Sequence, residues 1–153
     1  MVMGLLGMKV CELHGNLSQG QRTQAFLDFK EGRFDFLLAT DLAARGLDIK
    51  HVQTVINYEL PAHITKYIHR IGRTARAGEG GTSLTLCGDA ECREIKRMSK
   101  KTGDKLYKLT VNEEAVGRYC TTIAGLGKEI AAIVSEEWEE REMRKAEMEL
   151  KKL

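Results

Sequence analysis

His69-Arg70-Ile71-Gly72-Arg73-Thr74-Ala75-Arg76 places four basic side chains within eight residues, three of them arginines. A guanidinium is always charged and presents a planar fork of donors that matches phosphate oxygens two at a time. The chemistry such a cluster suits is the holding of a polyphosphate. Arg70, Arg73 and Arg76 are three apart, so on a helical turn they project in similar directions. A solvated basic face is the plainer alternative. Gly72 and the Gly78-Glu79-Gly80-Gly81 run argue against a simple surface helix, because a glycine inside a helix costs about 1 kcal/mol relative to alanine. They predict a place where something approaches the backbone closely.

Alternating elements must position this octet. Lys9 to Leu13 is a short β-compatible run closed by His14-Gly15-Asn16. Ser18 reads as an N-cap for a helix that carries Ala25, Phe26 and Phe29 at helical spacing and stops at Gly32. Phe34 to Ala39 reads as a strand buried on both faces, and Thr54 to Tyr58 as another. Ala62 to Ile71 is helical, Thr82 to Cys87 a third apolar strand, Ala90 to Lys101 a helix, and Leu106 to Leu109 a last short strand. Apolar strands alternating with helices predict a parallel sheet covered on both faces. Ligands on such sheets sit at the carboxyl ends of the strands. Thr40-Asp41, the segment from Glu59 to Ala62 and Gly88-Asp89 all follow a strand, so the polar candidates gather on one edge. From Asn112 onward Val116, Tyr119, Ile123, Leu126, Ile130 and Ile133 step by threes and fours, a heptad-like stripe on one long helix. That helix either packs on its own domain or binds a partner.

A chain of 153 residues fits one domain with an appendage. Residues 1–110 carry 17 Lys and Arg against 12 Asp and Glu, a net of +5, whereas residues 111–153 carry 7 against 10, a net of −3. The basic part is the candidate for phosphate or nucleic-acid contact. No apolar run is long enough to span a bilayer. Cys11, Cys87, Cys92 and Cys120 lack zinc-ligand spacing and read as reduced thiols.

Three blocks in order then carry a family resemblance: Leu13 to Arg22 (Leu-His-Gly-Asn-Leu-Ser-Gln-Gly-Gln-Arg), Thr40 to Ile49 (Thr-Asp-Leu-Ala-Ala-Arg-Gly-Leu-Asp-Ile) and His69 to Gly78. Together they resemble motifs IVa, V and VI of the C-terminal RecA-like domain of DEAD-box ATP-dependent RNA helicases. The resemblance covers roughly residues 1–110 and leaves 111–153 as a helical, charged C-terminal extension. It implies an α/β fold, a RecA-like three-layer α/β/α sandwich with a mainly parallel sheet, plus the long C-terminal helix. The strand that opens this lobe in the family would precede Met1, and its loss would leave unpaired backbone that invites aggregation.

The resemblance also implies roles. Arg73 and Arg76 match arginine fingers that reach the γ-phosphate of ATP, where charge develops during phosphoryl transfer. Gly46 and Asp48 match the ATP-binding pair, with Asp48 on the ribose hydroxyls. Gly15, Gln19, Arg22 and Thr40 match positions along the RNA backbone, and none of them reads bases. His69 and Arg70 match residues that couple to the other lobe, although Arg70 could instead pair with a local carboxylate. Arg45 faces either RNA or the third block. The cofactor implied is ATP with Mg2+ held by the other lobe, with no metal site in this chain. The partners implied are RNA, that N-terminal RecA-like lobe and pre-ribosomal proteins along the C-terminal helix, with no membrane. Glu12 to Gln19, the Thr74-Ala75-Arg76-Ala77-Gly78 variant and the long charged helix resemble the nucleolar branch that acts in ribosome biogenesis, so the location implied is the nucleus and its nucleolus, the cytoplasm being the alternative. Two departures stand out. Ala75 replaces the family's usual glycine, and the chain has neither a phosphate loop nor an Asp-Glu-Ala-Asp box. The 153 residues alone are therefore expected to lack ATPase activity. A non-catalytic RNA- or protein-binding piece is the alternative reading.

Overall fold

The computed structural model describes residues 1–41, 52–75 and 80–150. The elements run α1 (Val2–Leu5), β1 (Val10–Leu13), α2 (Gln19–Lys30), β2 (Phe36–Ala39), β3 (Thr54–Asn57), α3 (Ile64–Ile71), β4 (Thr82–Thr85), α4 (Cys92–Thr102), α5 (Glu113–Gly125) and α6 (Gly127–Leu150). They fall into two compact units, Val10–Lys108 and Met1–Lys9 with Leu109–Leu153.

Within Val10–Lys108 the helix signals act as their chemistry dictates. Ser18 Oγ accepts from the Gln21 amide at 3.3 Å, and Gln21 Oε1 accepts from the Ser18 amide at 2.9 Å. This reciprocal cap satisfies two amides that the start of α2 would leave bare. Gly32 ends the helix at φ +74°, a conformation that glycine adopts without penalty. On α3, Ile64, Tyr67 and Ile71 recur at helical spacing. They meet Ile95 and Met98 of α4 in a small core to which Leu60 adds. With that stripe turned inward, His69 is left exposed.

β1 pairs with β2 in parallel, Leu13 opposite Ala39, and β3 pairs with β4 in parallel, Asn57 opposite Thr85. Each pair thus brings its two carboxyl ends together. The sequence predicts one sheet; among the described residues there are two separate pairs, and neither β2 nor β3 has a ladder partner on its other edge. Burial also falls short of the apolar pattern. Phe36, Leu38 and Ile56 remain 40%, 45% and 54% exposed, because an apolar strand is buried only where another layer lies on it. The predicted strand at Leu106 to Leu109 does not form, and Leu106, Tyr107 and Leu109 are exposed. Local alternation alone gives a strand no ladder to join.

In the other unit Asn112 caps α5, its Oδ1 accepting from the Ala115 amide at 3.0 Å. The single predicted helix is divided at Leu126, between Gly125 and Gly127, two residues that weaken a helix interior. Of the predicted stripe, Leu126, Ile130 and Ile133 are half-buried, whereas Val116, Tyr119 and Ile123 are exposed, as are Trp138, Met143 and Met148. No described helix is long and apolar enough to cross a membrane.

Candidate functional site

The carboxyl ends of β1 and β2 collect one set of candidates. The Thr40 amide donates to Leu13 O at 3.1 Å, so the residue after β2 stands beside the turn after β1. Gly15 is exposed in that turn, which the Asn16 amide closes on His14 Nδ1 at 3.3 Å. The chain then enters the Ser18 cap, which places Gln19 and Arg22 at the start of α2. Arg22 Nη1 donates to Gln19 Oε1 at 3.4 Å. Gly15, Gln19 and Thr40 are exposed and Arg22 is half-buried. A bare backbone, an amide, a guanidinium and a hydroxyl thus share one edge, next to the positive end of a helix.

The carboxyl ends of β3 and α3 hold the second set. Arg70 Nε and Nη2 donate to Asp41 Oδ1 and Oδ2 at 2.6 and 2.9 Å, a two-pronged ion pair. Arg70 Nη1 donates to Glu59 O at 2.9 Å and to Asn57 Oδ1 at 3.5 Å. Asn57 Nδ2 in turn donates to Thr85 Oγ1 at 3.1 Å, and Asn57 is only 2% exposed. The hydrogen-bonded Asp41 carboxylate holds the Arg70 guanidinium above its ordinary pKa, against the opposing effect of partial burial. Arg70 therefore directs its donors into its own lobe. Because Asp41 follows Thr40, this fork fastens the first set of candidates to the helix that carries the second.

Arg70 and Arg73 do not share one helical turn. α3 ends at Ile71, with Gly72 as its C-cap, and a Cβ at Gly72 would stand 2.9 Å from Ile68 O. Arg73 lies past the helix end, half-buried, with Nε donating to His69 O at 3.3 Å. A cation there suits the negative end of the helix. Arg76, Gly46, Asp48 and Arg45 lie outside the described residues.

The close approach that the glycines predict is made by the chain itself. A Cβ on Gly81 would stand 2.5 Å from Ala75 N and run into the Thr74 hydroxyl. That hydroxyl is buried and donates to Gln53 O at 3.0 Å. Ala75 adopts φ +53°, the one non-glycine residue with positive φ among those described. This left-handed backbone costs an L-residue roughly 1–2 kcal/mol. Ala75→Gly relieves it but gives the unfolded chain about 0.4–1 kcal/mol of extra freedom. The net expected is a gain of about 0.5–1 kcal/mol, seen as a melting temperature about 1–4 °C higher; a lower one would contradict the strain.

Asp41 as a partner, Asn57, Thr85 and Gly81 were not singled out by the sequence for these contacts. An asparagine closing an apolar strand was the available signal, because asparagine is depleted in strands and a buried amide must find partners. Among the described residues no group of three or more His, Cys, Asp and Glu side chains is placed to hold a metal ion. For ATP, the described part offers His69 and Arg73 at the end of α3. The four cysteines are free thiols.

Comparison with known proteins gives concordant matches. The helicase conserved C-terminal domain family matches residues 1–78. The chain is 53% identical over 152 residues to the ATP-dependent RNA helicase DRS1 of Mycosarcoma maydis, covering 99% of this chain and 16% of that protein. It is 46% identical over 151 residues to DEAD-box ATP-dependent RNA helicase 28 of Arabidopsis thaliana, covering 99% and 19%. The crystal structure of the E. coli DEAD-box protein SrmB bound to regulator of ribonuclease activity A aligns with a TM-score of 0.65 at 36% identity, over 72% of this chain and 67% of that one. The chain thus spans less than one fifth of the length of these two curated relatives.

Proposed function

Since the chain belongs to the DEAD-box RNA helicases, as their C-terminal RecA-like lobe, we propose that it works as the second half of an ATP-driven machine that remodels RNA duplexes. In this reading Gly15, Gln19, Arg22 and Thr40 grip the RNA backbone. Arg73 and Arg76 stabilise the charge that develops on the transferring phosphoryl group. Gly46 and Asp48 hold the nucleotide, and His69 meets the first lobe, which supplies Mg2+. Similarity to DRS1 along 99% of the chain supports a role in ribosome biogenesis, a nucleolar location and pre-ribosomal partners. The observation that carries the reading is the Arg70–Asp41 fork. It ties the strand end that bears the RNA candidates to the helix that bears the phosphate candidates, the mechanical link a coupled ATPase needs.

Backbone gripping leaves a salt signature. Binding of single-stranded RNA should weaken by roughly 0.7 log units per log unit of salt for each phosphate neutralised, or about 2 for three phosphates. Fluorescence anisotropy with a labelled oligouridylate across a salt series measures this slope. A flat response rules the grip out.

A further inference from the structure

We propose that Asn57 and Thr85 are positioning residues for the RNA grip, acting through the Arg70–Asp41 fork on Thr40. This rests on the helicase reading above. Neither residue belongs to the three blocks that carry the family resemblance, and neither touches a candidate RNA contact.

The geometry gives a direction to the relay. Asn57 and Thr85 are register partners on β3 and β4, so their side chains lie on the same face of the pair. An amide has two ends, and which end faces Arg70 decides whether it helps or opposes. Oδ1 toward the guanidinium accepts a hydrogen bond; the amino end would set donor against donor. Arg70 Nη1 can only donate, so Oδ1 faces it, at 3.5 Å; Nδ2 then falls to Thr85 Oγ1, which accepts at 3.1 Å and anchors the amide in that orientation. This orientation follows from the network of partners. The burial of Asn57 makes the choice matter, because a mismatched amide there has no water to turn to. Arg70 Nη1 is further fixed by Glu59 O at 2.9 Å. The remaining prongs seat on Asp41, and Thr40 is the next residue back along the chain, pinned by Leu13 O at 3.1 Å. A hydroxyl on β4 thereby sets the heading of a hydroxyl at the end of β2.

The test is RNA affinity of the full 153-residue chain, measured by anisotropy with a labelled oligouridylate. Thr85→Val keeps the shape and removes the acceptor. It is expected to weaken binding about fivefold, the scale of coupled neighbours, with the salt slope unchanged because no cation is lost. Thr85→Ser restores the acceptor and is expected to bind within about twofold of the unmutated chain. In a Thr40→Val background, Thr85→Val is expected to have no additional effect, because the relay then has nothing to aim. Asn57→Asp is the second variant. It keeps an acceptor but competes with Asp41 for the fork, and is expected to weaken binding by a similar factor. Melting curves check that each variant is folded. Unchanged affinity for folded Thr85→Val, a serine variant as weak as the valine one, or full additivity with Thr40→Val would each overturn the relay. Absence of salt-dependent binding in the unmutated chain overturns the helicase reading itself, and the relay with it; that failure is visible before any substitution is made.

Discussion

Arg73→Lys, in a two-lobe protein that carries this chain as its second lobe, is expected to lower ATP turnover by about 10³-fold or more. That is roughly 4 kcal/mol of transition-state stabilisation. Lysine keeps the positive charge, so a loss of this size would have to come from geometry. Arg73 already uses Nε at the C-terminal end of α3, donating to His69 O, and that bond sets the plane of its guanidinium. An ammonium group has no second prong with which to be held and to hold a phosphate at once. RNA affinity is expected to stay near the unmutated value, because lysine keeps the positive charge. Steady-state hydrolysis at saturating RNA measures the effect. Turnover within tenfold of the unmutated protein would sink the assignment of Arg73 as a finger.

Arg70→Ala is expected to reach stability as well as function. Removing the fork leaves Asp41 without its bidentate partner, Asn57 Oδ1 without its donor and Glu59 O short of one. Breaking a fully buried ion pair typically costs 3–5 kcal/mol. Here the two side chains are 29% and 32% exposed, so water recovers part of the loss and about 2 kcal/mol is expected. For a chain of this length that lowers the melting temperature by about 4–8 °C. Arg70→Lys restores one contact but no fork and is expected to fall between the two. A thermal melt of Arg70→Ala that overlays the unmutated chain would show that the fork fastens nothing.

The parts of this fold that were legible in the sequence are those whose cause is local. Ser18 with Gln21 caps a helix through bonds between residues three apart. Gly32 ends a helix because its backbone takes positive φ. The Ile64, Tyr67 and Ile71 stripe announces which side of α3 faces in. The illegible parts depend on partners far away in the chain. The arginine spacing suggested three side chains acting together, but Arg70 is claimed by a carboxylate 29 residues back. The Asn57 amide finds its acceptor 28 residues ahead, and only the β3–β4 register reveals it. Leu106 to Leu109 shows the converse failure, a plausible strand pattern that no strand among the described residues pairs with. The resemblance named the chemistry of Thr40 and Arg73; it did not say which groups would hold them in place.

The junction between Thr74 and Gly81 bears on how freely this protein can vary. At position 75 the positive φ favours glycine over alanine, and at position 81 not even one methyl is admitted. Substitution at either place is thus screened by shape before charge or polarity can matter. A randomised library selected for folding would keep glycine at 81 and drift toward it at 75, so sequence freedom there is spent on fit before chemistry has any say.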